Sequence, residues 1–195
     1  MTSGLSYPSY LNLGSFVDVC RRADWTNIDI LPIEIDGVYC QQADLRHGLP
    51  MYQDGTIKGI RASHVLEHLT LEDAARLVRE CARVLVPGGV LRVSVPDGNL
   101  LVSHFLSGTM SRFDSIQPPE YVQARTQGEK LSRILFSGDY QHQAIYTRDM
   151  LAGMIEAAGL RAAPMLPGFS HDVRLVRDIA DQHVEVSMFM EGVKA

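Results

Sequence analysis

Ile60-Arg61-Ala62-Ser63-His64-Val65-Leu66-Glu67-His68-Leu69, continued through a long amphipathic stretch to Val86-Pro87-Gly88-Gly89-Val90-Leu91-Arg92-Val93-Ser94-Val95-Pro96, reads as strand, loop, helix, turn and strand. This order decides the fold class. Apolar residues at Leu71, Ala74, Leu77, Val78, Cys81, Val84 and Leu85 recur at helical spacing and predict a helix over 71–86. Thr70 is placed to cap it, with Asp73 three residues on as a short capping box. Glu72 and Arg76 stand one turn apart as an ion pair on the wet face. Pro87-Gly88-Gly89 stops the helix. Ile57–Ala62 before it and Val90–Val95 after it are apolar enough to be buried strands.

The chain on either side repeats this alternation. Tyr10-Leu11-Asn12-Leu13 ends at Gly14 and reads as a first buried strand. Residues 15–24 carry no apolar stripe and predict a loop or a stunted helix before a second strand, Thr26–Ile30. Residues 33–39 alternate apolar and polar, as an edge hairpin or short strand does. Residues 44–50 read as a loop, and Asp54-Gly55 as a turn. Leu100–Leu106 predicts a helix, Ser107–Pro119 a loop and Glu120–Phe136 a further helix. Thr147 is placed to cap a helix bearing Leu151, Met154, Ile155 and Ala158 on one face and ending at Gly159. Leu160–Met165 and Val184–Met190 are terminal strands. Strands alternating with helices imply an α/β fold with a mostly parallel sheet and helices on its faces. The whole chain reads as one domain, with 99–145 inserted as a lid or substrate wall.

Composition narrows the function classes. A 195-residue chain with 46% hydrophobic residues is globular and builds a core of its own. The formal net charge of -5 gives no basic footprint, so no nucleic acid is expected as a partner. Cys20, Cys40 and Cys81 are odd in number and include no C-x-x-C pair, which argues against a disulfide framework or a cysteine zinc site. A reduced, cytoplasmic setting follows. Residues 1–10 lack a signal-peptide pattern, and no apolar run approaches the roughly 18 residues that span a bilayer. No membrane association is expected.

In open parallel sheets ligands bind beyond the carboxyl ends of the strands, near the point where strand order reverses. That rule nominates Gly14, Asp29, Asp44 and Ser63-His64. Gly14 allows close backbone approach to a ligand, although a turn also explains it. Asp29 can accept both hydroxyls of a ribose, or be a solvated strand-end acid. Asp44 can take a purine amino group while Leu45 covers the ring, or simply hold a turn. His64-x-x-Glu67-His68 matches an inverted zincin pattern. The position of that motif at a strand-to-helix junction, immediately before the Thr70 cap, favours a pocket role for His64 and a scaffold role for Glu67 and His68, with no metal. His142 suits a general base at neutral pH. His142 and Tyr146 face a substrate in one reading and anchor a loop in the other.

Several segments then occur in a telling order: Leu11-Asn12-Leu13-Gly14, Trp25-x-Asn27-Ile28-Asp29, Ala43-Asp44-Leu45-Arg46-x-Gly48-Leu49-Pro50, Ser63-His64-Val65-Leu66-Glu67-His68, Arg79-Glu80-Cys81-x-Arg83-Val84-Leu85-x-Pro87-Gly88-Gly89, and His142-x-x-x-Tyr146 leading to Ala158-Gly159-Leu160. Together they resemble the class I S-adenosylmethionine-dependent methyltransferases, specifically the small type 11-like predicted methyltransferases, over roughly residues 10–193. The resemblance implies a Rossmann-like sandwich and S-adenosylmethionine as cofactor, with S-adenosylhomocysteine as product. It places Gly14, Ser15 and Phe16 at the methionine part, Asp29 at the ribose, Asp44 and Leu45 at the adenine, and Ser63 and His64 at the methyl region. Phe16 stands where the family's second loop glycine falls. The implied activity is methyl transfer to an oxygen or nitrogen of a small-molecule or sugar-containing acceptor, with His64 and His142 as the candidate catalytic residues. Two other readings stand beside it: a methyltransferase-fold binding or assembly protein without activity, suggested by Phe16, and a zinc hydrolase built on His64, Glu67 and His68.

Overall fold

The computed structural model describes residues 8–16, 18–116, 119–136 and 141–195; the readings of residues 1–7, 17, 117–118 and 137–140 fall outside these. Seven strands form one sheet: β1 (Tyr10–Leu13), β2 (Trp25–Asp29), β3 (Gln41–Gln42), β4 (Ile57–Ser63), β5 (Leu85–Pro96), β6 (Leu160–Met165) and β7 (Ser187–Lys194). Their spatial order is β3-β2-β1-β4-β5-β7-β6. The first five run parallel, whereas β7 is antiparallel to both β5 and β6. The order reverses between β1 and β4, which sets the switch point at the ends of those two strands. Every residue of β1 is buried, as a strand flanked on both edges and covered on both faces must be. The short hairpin Glu34–Ile35/Val38–Tyr39 lies outside this sheet.

Helix α1 (Leu71–Val84) forms where the spacing puts it, burying Ala74, Leu77, Val78, Cys81, Ala82 and Val84. The Asp73 amide donates to Thr70 Oγ1 at 3.1 Å, as the capping box requires. Arg76 pairs with Asp73 at 2.6 Å rather than with Glu72, because the cap has already drawn the Asp73 carboxylate into the first turn. The helix ends two residues early. Leu85 already belongs to β5, and the register jumps from Ile57↔Leu85 to Gly59↔Val90, so Pro87-Gly88-Gly89 is a bulge within the strand. Helix α2 (Gly98–Leu106) is capped by Asp97, and α3 (Gln127–Phe136) follows. Two expectations fail in this region. Met110–Ile116 is 3₁₀-helical rather than loop, and the helix read over 120–136 is split into Pro119–Val122 and α3. Helix α4 (Arg148–Ala157) begins after Thr147, whose side chain caps no backbone amide and is bonded to Asp149 instead.

Helices α1 and α4 share the main core on one side of the sheet, where Leu77, Val78, Leu151 and Ile155 pack with Leu13, Ile60 and Val93. Elsewhere the sheet is covered by the C-terminal chain and its one helical turn, Arg174–Arg177, with Leu175 and Ile179 packed on Tyr10, Trp25 and Val90. Charges are buried under this covering. Arg61, Arg92 and Glu191 occupy one register row across β4, β5 and β7 and are 2%, 1% and 0% exposed. Arg92 bonds Asp181 at 2.6 Å and Glu191 at 3.0 Å.

Arg174 fastens the covering from outside. It reaches Asp24 at 2.5 Å and Asp178 at 2.8 Å, and its guanidinium lies 4.4 Å from the centre of the Tyr10 ring. The Arg174 hydrogen bond holds the Asp24 carboxyl below its ordinary range. A depressed carboxyl contributes stability above its unfolded pKa of about 3.9 and loses it as pH falls through the folded value. Urea midpoints measured below about pH 4 should therefore fall more steeply for the native chain than for Asp24→Asn. The difference is under about 1 kcal/mol, because the Asp24 side chain is 43% exposed. Equal acid limbs in the two proteins would remove this role from the pair.

Candidate functional site at the carboxyl ends of β1, β2 and β4

The turn after β1 is built on an unusual backbone. Gly14 has φ +58, and a Cβ there would sit 2.5 Å from Val65 Cγ2, so only glycine lets this turn close against the loop after β4. Ser15 is buried and its hydroxyl meets Cys40 Sγ at 3.1 Å. Phe16 has φ +38, the left-handed region in which an L-residue costs roughly 1–2 kcal/mol. Its amide donates to Asp29 Oδ2 at 2.9 Å while its side chain stays 57% exposed. The backbone shape that a glycine would adopt is therefore kept, with a phenylalanine carrying it.

Among the described residues, 18–24 before β2 are not helical, because this chain is held otherwise. Asn12 and Asn27 are register partners on β1 and β2. The Asn27 side chain accepts from the Cys20 amide at 2.7 Å and donates to the Cys20 carbonyl at 2.9 Å, and Asn12 Nδ2 donates to the Asp18 carbonyl at 2.7 Å. Two buried amides thus do for residues 18–20 what a helical ladder would do.

Asp29 ends β2, only 7% exposed. Its Oδ2 takes the Phe16 amide, and its Oδ1 takes the Leu31 amide at 3.1 Å. Each oxygen keeps a further lone pair, so the carboxylate can still accept hydroxyl donors. Asp44 is differently placed. It caps the 3₁₀ turn Leu45–His47, and Arg46 grips both its oxygens, at 2.6 Å for the closest pair. This guanidinium holds the Asp44 carboxyl below its ordinary range. Leu45 belongs to the main core at 8% exposure. Asp44 therefore presents an already neutralised carboxylate, and Leu45 little free surface.

Ser63 ends β4 with its hydroxyl 2.9 Å from that of Ser94 on β5. His64 follows with φ +54. Its Nδ1 lies 2.7 Å from Glu67 Oε1 and its Nε2 lies 2.8 Å from Ser187 Oγ. Both ring nitrogens are engaged, so His64 positions Glu67 and has none left to take a substrate proton or bind a metal. The zincin-like trio His64, Glu67 and His68 is not assembled. Leu66–His68 is a 3₁₀ turn rather than part of a continuous helix, so the two histidines do not share one helical face.

The chain brings another residue to Glu67 and His68. Residues 143–146 cross this turn and take all three of its carbonyls. The Gln143 amide donates to Glu67 O at 2.7 Å, Gln143 Nε2 to His68 O at 2.7 Å, and Tyr146 Oη to Leu66 O at 3.2 Å. His142 thereby packs edge-on to His68, ring centres 4.9 Å apart. Burial lowers the His142 pKa, keeping the imidazole neutral near pH 7. The substrate-facing reading of Tyr146 is corrected to its alternative, a hydrogen-bonded anchor: it is 0% exposed, and burial raises its phenol pKa. The grouping of Glu67, His68 and His142 escaped sequence reasoning. The only local signal for it was the motif His64-x-x-Glu67-His68, read with the wrong third member.

Comparison with known proteins agrees with this architecture. Residues 15–93 match the family model described as a methyltransferase domain. A curated probable S-adenosylmethionine-dependent methyltransferase from Mycolicibacterium smegmatis is 37% identical over 84 residues, 41% of this chain. The aligned part is 32% of that relative, so the chain spans about a third of its length. A solved SAM-dependent methyltransferase from Archaeoglobus fulgidus superposes with a TM-score of 0.59 at 15% identity, covering 96% of this chain and 88% of that one. The 1,6-didemethyltoxoflavin-N1-methyltransferase of Burkholderia thailandensis, solved with 1,6-didemethyltoxoflavin and S-adenosylhomocysteine, gives 0.51 at 13% identity over 95% and 70% of the two chains. At these identities the structural likeness establishes a shared fold.

Proposed function

We propose that this chain, which has the class I methyltransferase fold, transfers a methyl group from S-adenosylmethionine to an oxygen or nitrogen of a small-molecule or sugar-containing acceptor. The observation that carries this reading is the coupling of Asp29 to the Gly14–Phe16 turn at the switch point. A buried carboxylate with spare lone pairs stands where a ribose would meet the sheet, tied to the backbone that would flank the methionine part. The bound cofactor supplies its own activation, because the sulfonium makes the methyl group electrophilic. The chain's residues then have to bind and align the two reactants.

Gly14, Ser15 and Phe16 border the methionine part in this reading, and Asp29 receives the ribose hydroxyls. Residues Asp44 and Leu45 border the adenine, with the carboxylate already paired to Arg46. Ser63 and His64 lie at the methyl region. Both ring nitrogens of His64 are engaged, so His64 borders the methyl region without acting as the base. The described residues of the 99–145 insertion border the acceptor in this reading, and His142 packs against His68 at the end of that stretch. The buried thiols Cys20, Cys40 and Cys81 are unpaired, in keeping with a reducing cytoplasmic setting.

Titration calorimetry with S-adenosylhomocysteine tests the reading, with micromolar binding expected for the native chain. No heat at millimolar ligand would sink it. Phe16→Gly should change that affinity by less than about threefold, because Phe16 already holds the backbone conformation a glycine would provide. Binding that appears only in Phe16→Gly would favour the inactive-relative reading instead.

A further inference from the structure

We propose that Glu67, His68 and His142 form a binding site for a divalent transition-metal ion. One potential ligand atom from each residue lies within 4.8 Å of the other two. Nitrogen and oxygen donors sit about 2.0–2.2 Å from a zinc ion, so a side-chain adjustment brings these three onto one centre. Two imidazoles and one carboxylate are a donor set that borderline divalent metals favour, and it leaves further coordination positions open.

A second observation points to the same place. Among the described residues, four buried side-chain polar atoms lack a hydrogen-bond partner, and two of them are Glu67 Oε2 and His68 Nδ1. Glu67 is 1% exposed. A buried carboxylate oxygen without a partner is costly, and a coordinated cation removes that cost. The support around the trio also resembles that of a ligand shell. His64 holds Glu67 Oε1 at 2.7 Å and is itself held by Ser187 at 2.8 Å, which fixes the carboxylate orientation. The crossing segment 143–146 ties the 3₁₀ turn to the irregular stretch bearing His142.

Resting on the methyl-transfer reading, the open coordination positions would receive an oxygen of the acceptor. A hydroxyl bound there becomes more acidic than in water, which supplies what His64 cannot. The substrate class this favours is a hydroxyl-bearing one.

The test is zinc binding to metal-stripped protein, followed by calorimetry and by competition with a chromogenic chelator. One equivalent per chain is expected. His142→Ala and Glu67→Gln should each weaken binding at least a hundredfold, while His47→Ala, a change at an exposed residue outside the cluster, leaves it unchanged. Saturating zinc should raise the melting temperature of the native chain and not that of His142→Ala. If Glu67→Gln does not fold by circular dichroism, His142→Ala alone decides. Failure of the native chain to take up one equivalent, or equal affinity in His142→Ala, overturns the site. S-adenosylhomocysteine titrated into the same metal-free protein tests the methyl-transfer reading separately, and its failure leaves the zinc result standing.

Discussion

Asp29→Ala is expected to lower affinity for S-adenosylhomocysteine at least a hundredfold, roughly 2.7 kcal/mol. Two ribose hydroxyls donating to one carboxylate are charge-assisted hydrogen bonds, worth about 1.5–3 kcal/mol each. The substitution removes both. It also frees the Phe16 and Leu31 amides that the carboxylate now holds at 2.9 and 3.1 Å, so the turn facing the ligand loses its anchor. Asp29→Asn keeps one acceptor oxygen and should fall between, near tenfold. The fold itself should survive, since the core strands β1 and β4 pair independently of this side chain. Calorimetry beside a thermal melt separates the two effects. An Asp29→Ala chain that melts normally and binds within threefold of the native protein would remove Asp29 from the site.

The second large effect concerns stability. Arg92→Met should cost about 3–5 kcal/mol, the range seen when one partner of a buried ion pair is removed. Arg92 is 1% exposed, and its guanidinium meets Asp181, Glu191 and the carbonyl of Phe169, the last at 2.8 Å. Truncation removes the guanidinium from both buried carboxylates, leaving Glu191 with His171 at 2.7 Å and Asp181 with the Gly168 amide at 2.8 Å. In a chain of this size each kcal/mol moves the melting temperature by about 2–4 °C, so a fall on the order of 10 °C is expected. The triple change Arg92→Met, Asp181→Asn, Glu191→Gln should recover part of the loss, because the neutral amides do not need the cation. Urea melts of the three proteins check this. A single-variant loss under 1 kcal/mol would mean that water or another cation already compensates these acids.

Much of the fold was legible because it follows from local rules. The 71–84 helix appears where its apolar spacing and Thr70 cap put it. Gly14 is a glycine because the turn it makes needs φ +58 and has no room for a Cβ beside Val65. The non-helical course of the described residues 18–24 was visible as a missing apolar stripe, although its cause, the Asn12–Asn27 pair, was not. What misled were residues whose local pattern had two uses. Thr147 looks like a cap but is bonded to Asp149. Tyr146 sits four residues after His142, as a substrate contact might, yet tertiary packing buries it completely.

The sequence by itself determined the alternation of strand and helix, the position of the switch-point loops and the acid at the end of β2. Periodicity, glycine turns and strand ends are short-range properties, set by backbone sterics and by which faces must leave water. Tertiary structure alone decided which charged and polar groups meet. Arg92 finds Asp181 and Glu191 because β7 returns antiparallel beside β5 and the C-terminal chain covers that row. His142 joins Glu67 and His68 because a segment far along the chain crosses the 3₁₀ turn and takes its carbonyls. No local rule encodes such meetings, since they depend on where a distant stretch finds its unpaired hydrogen-bond partners.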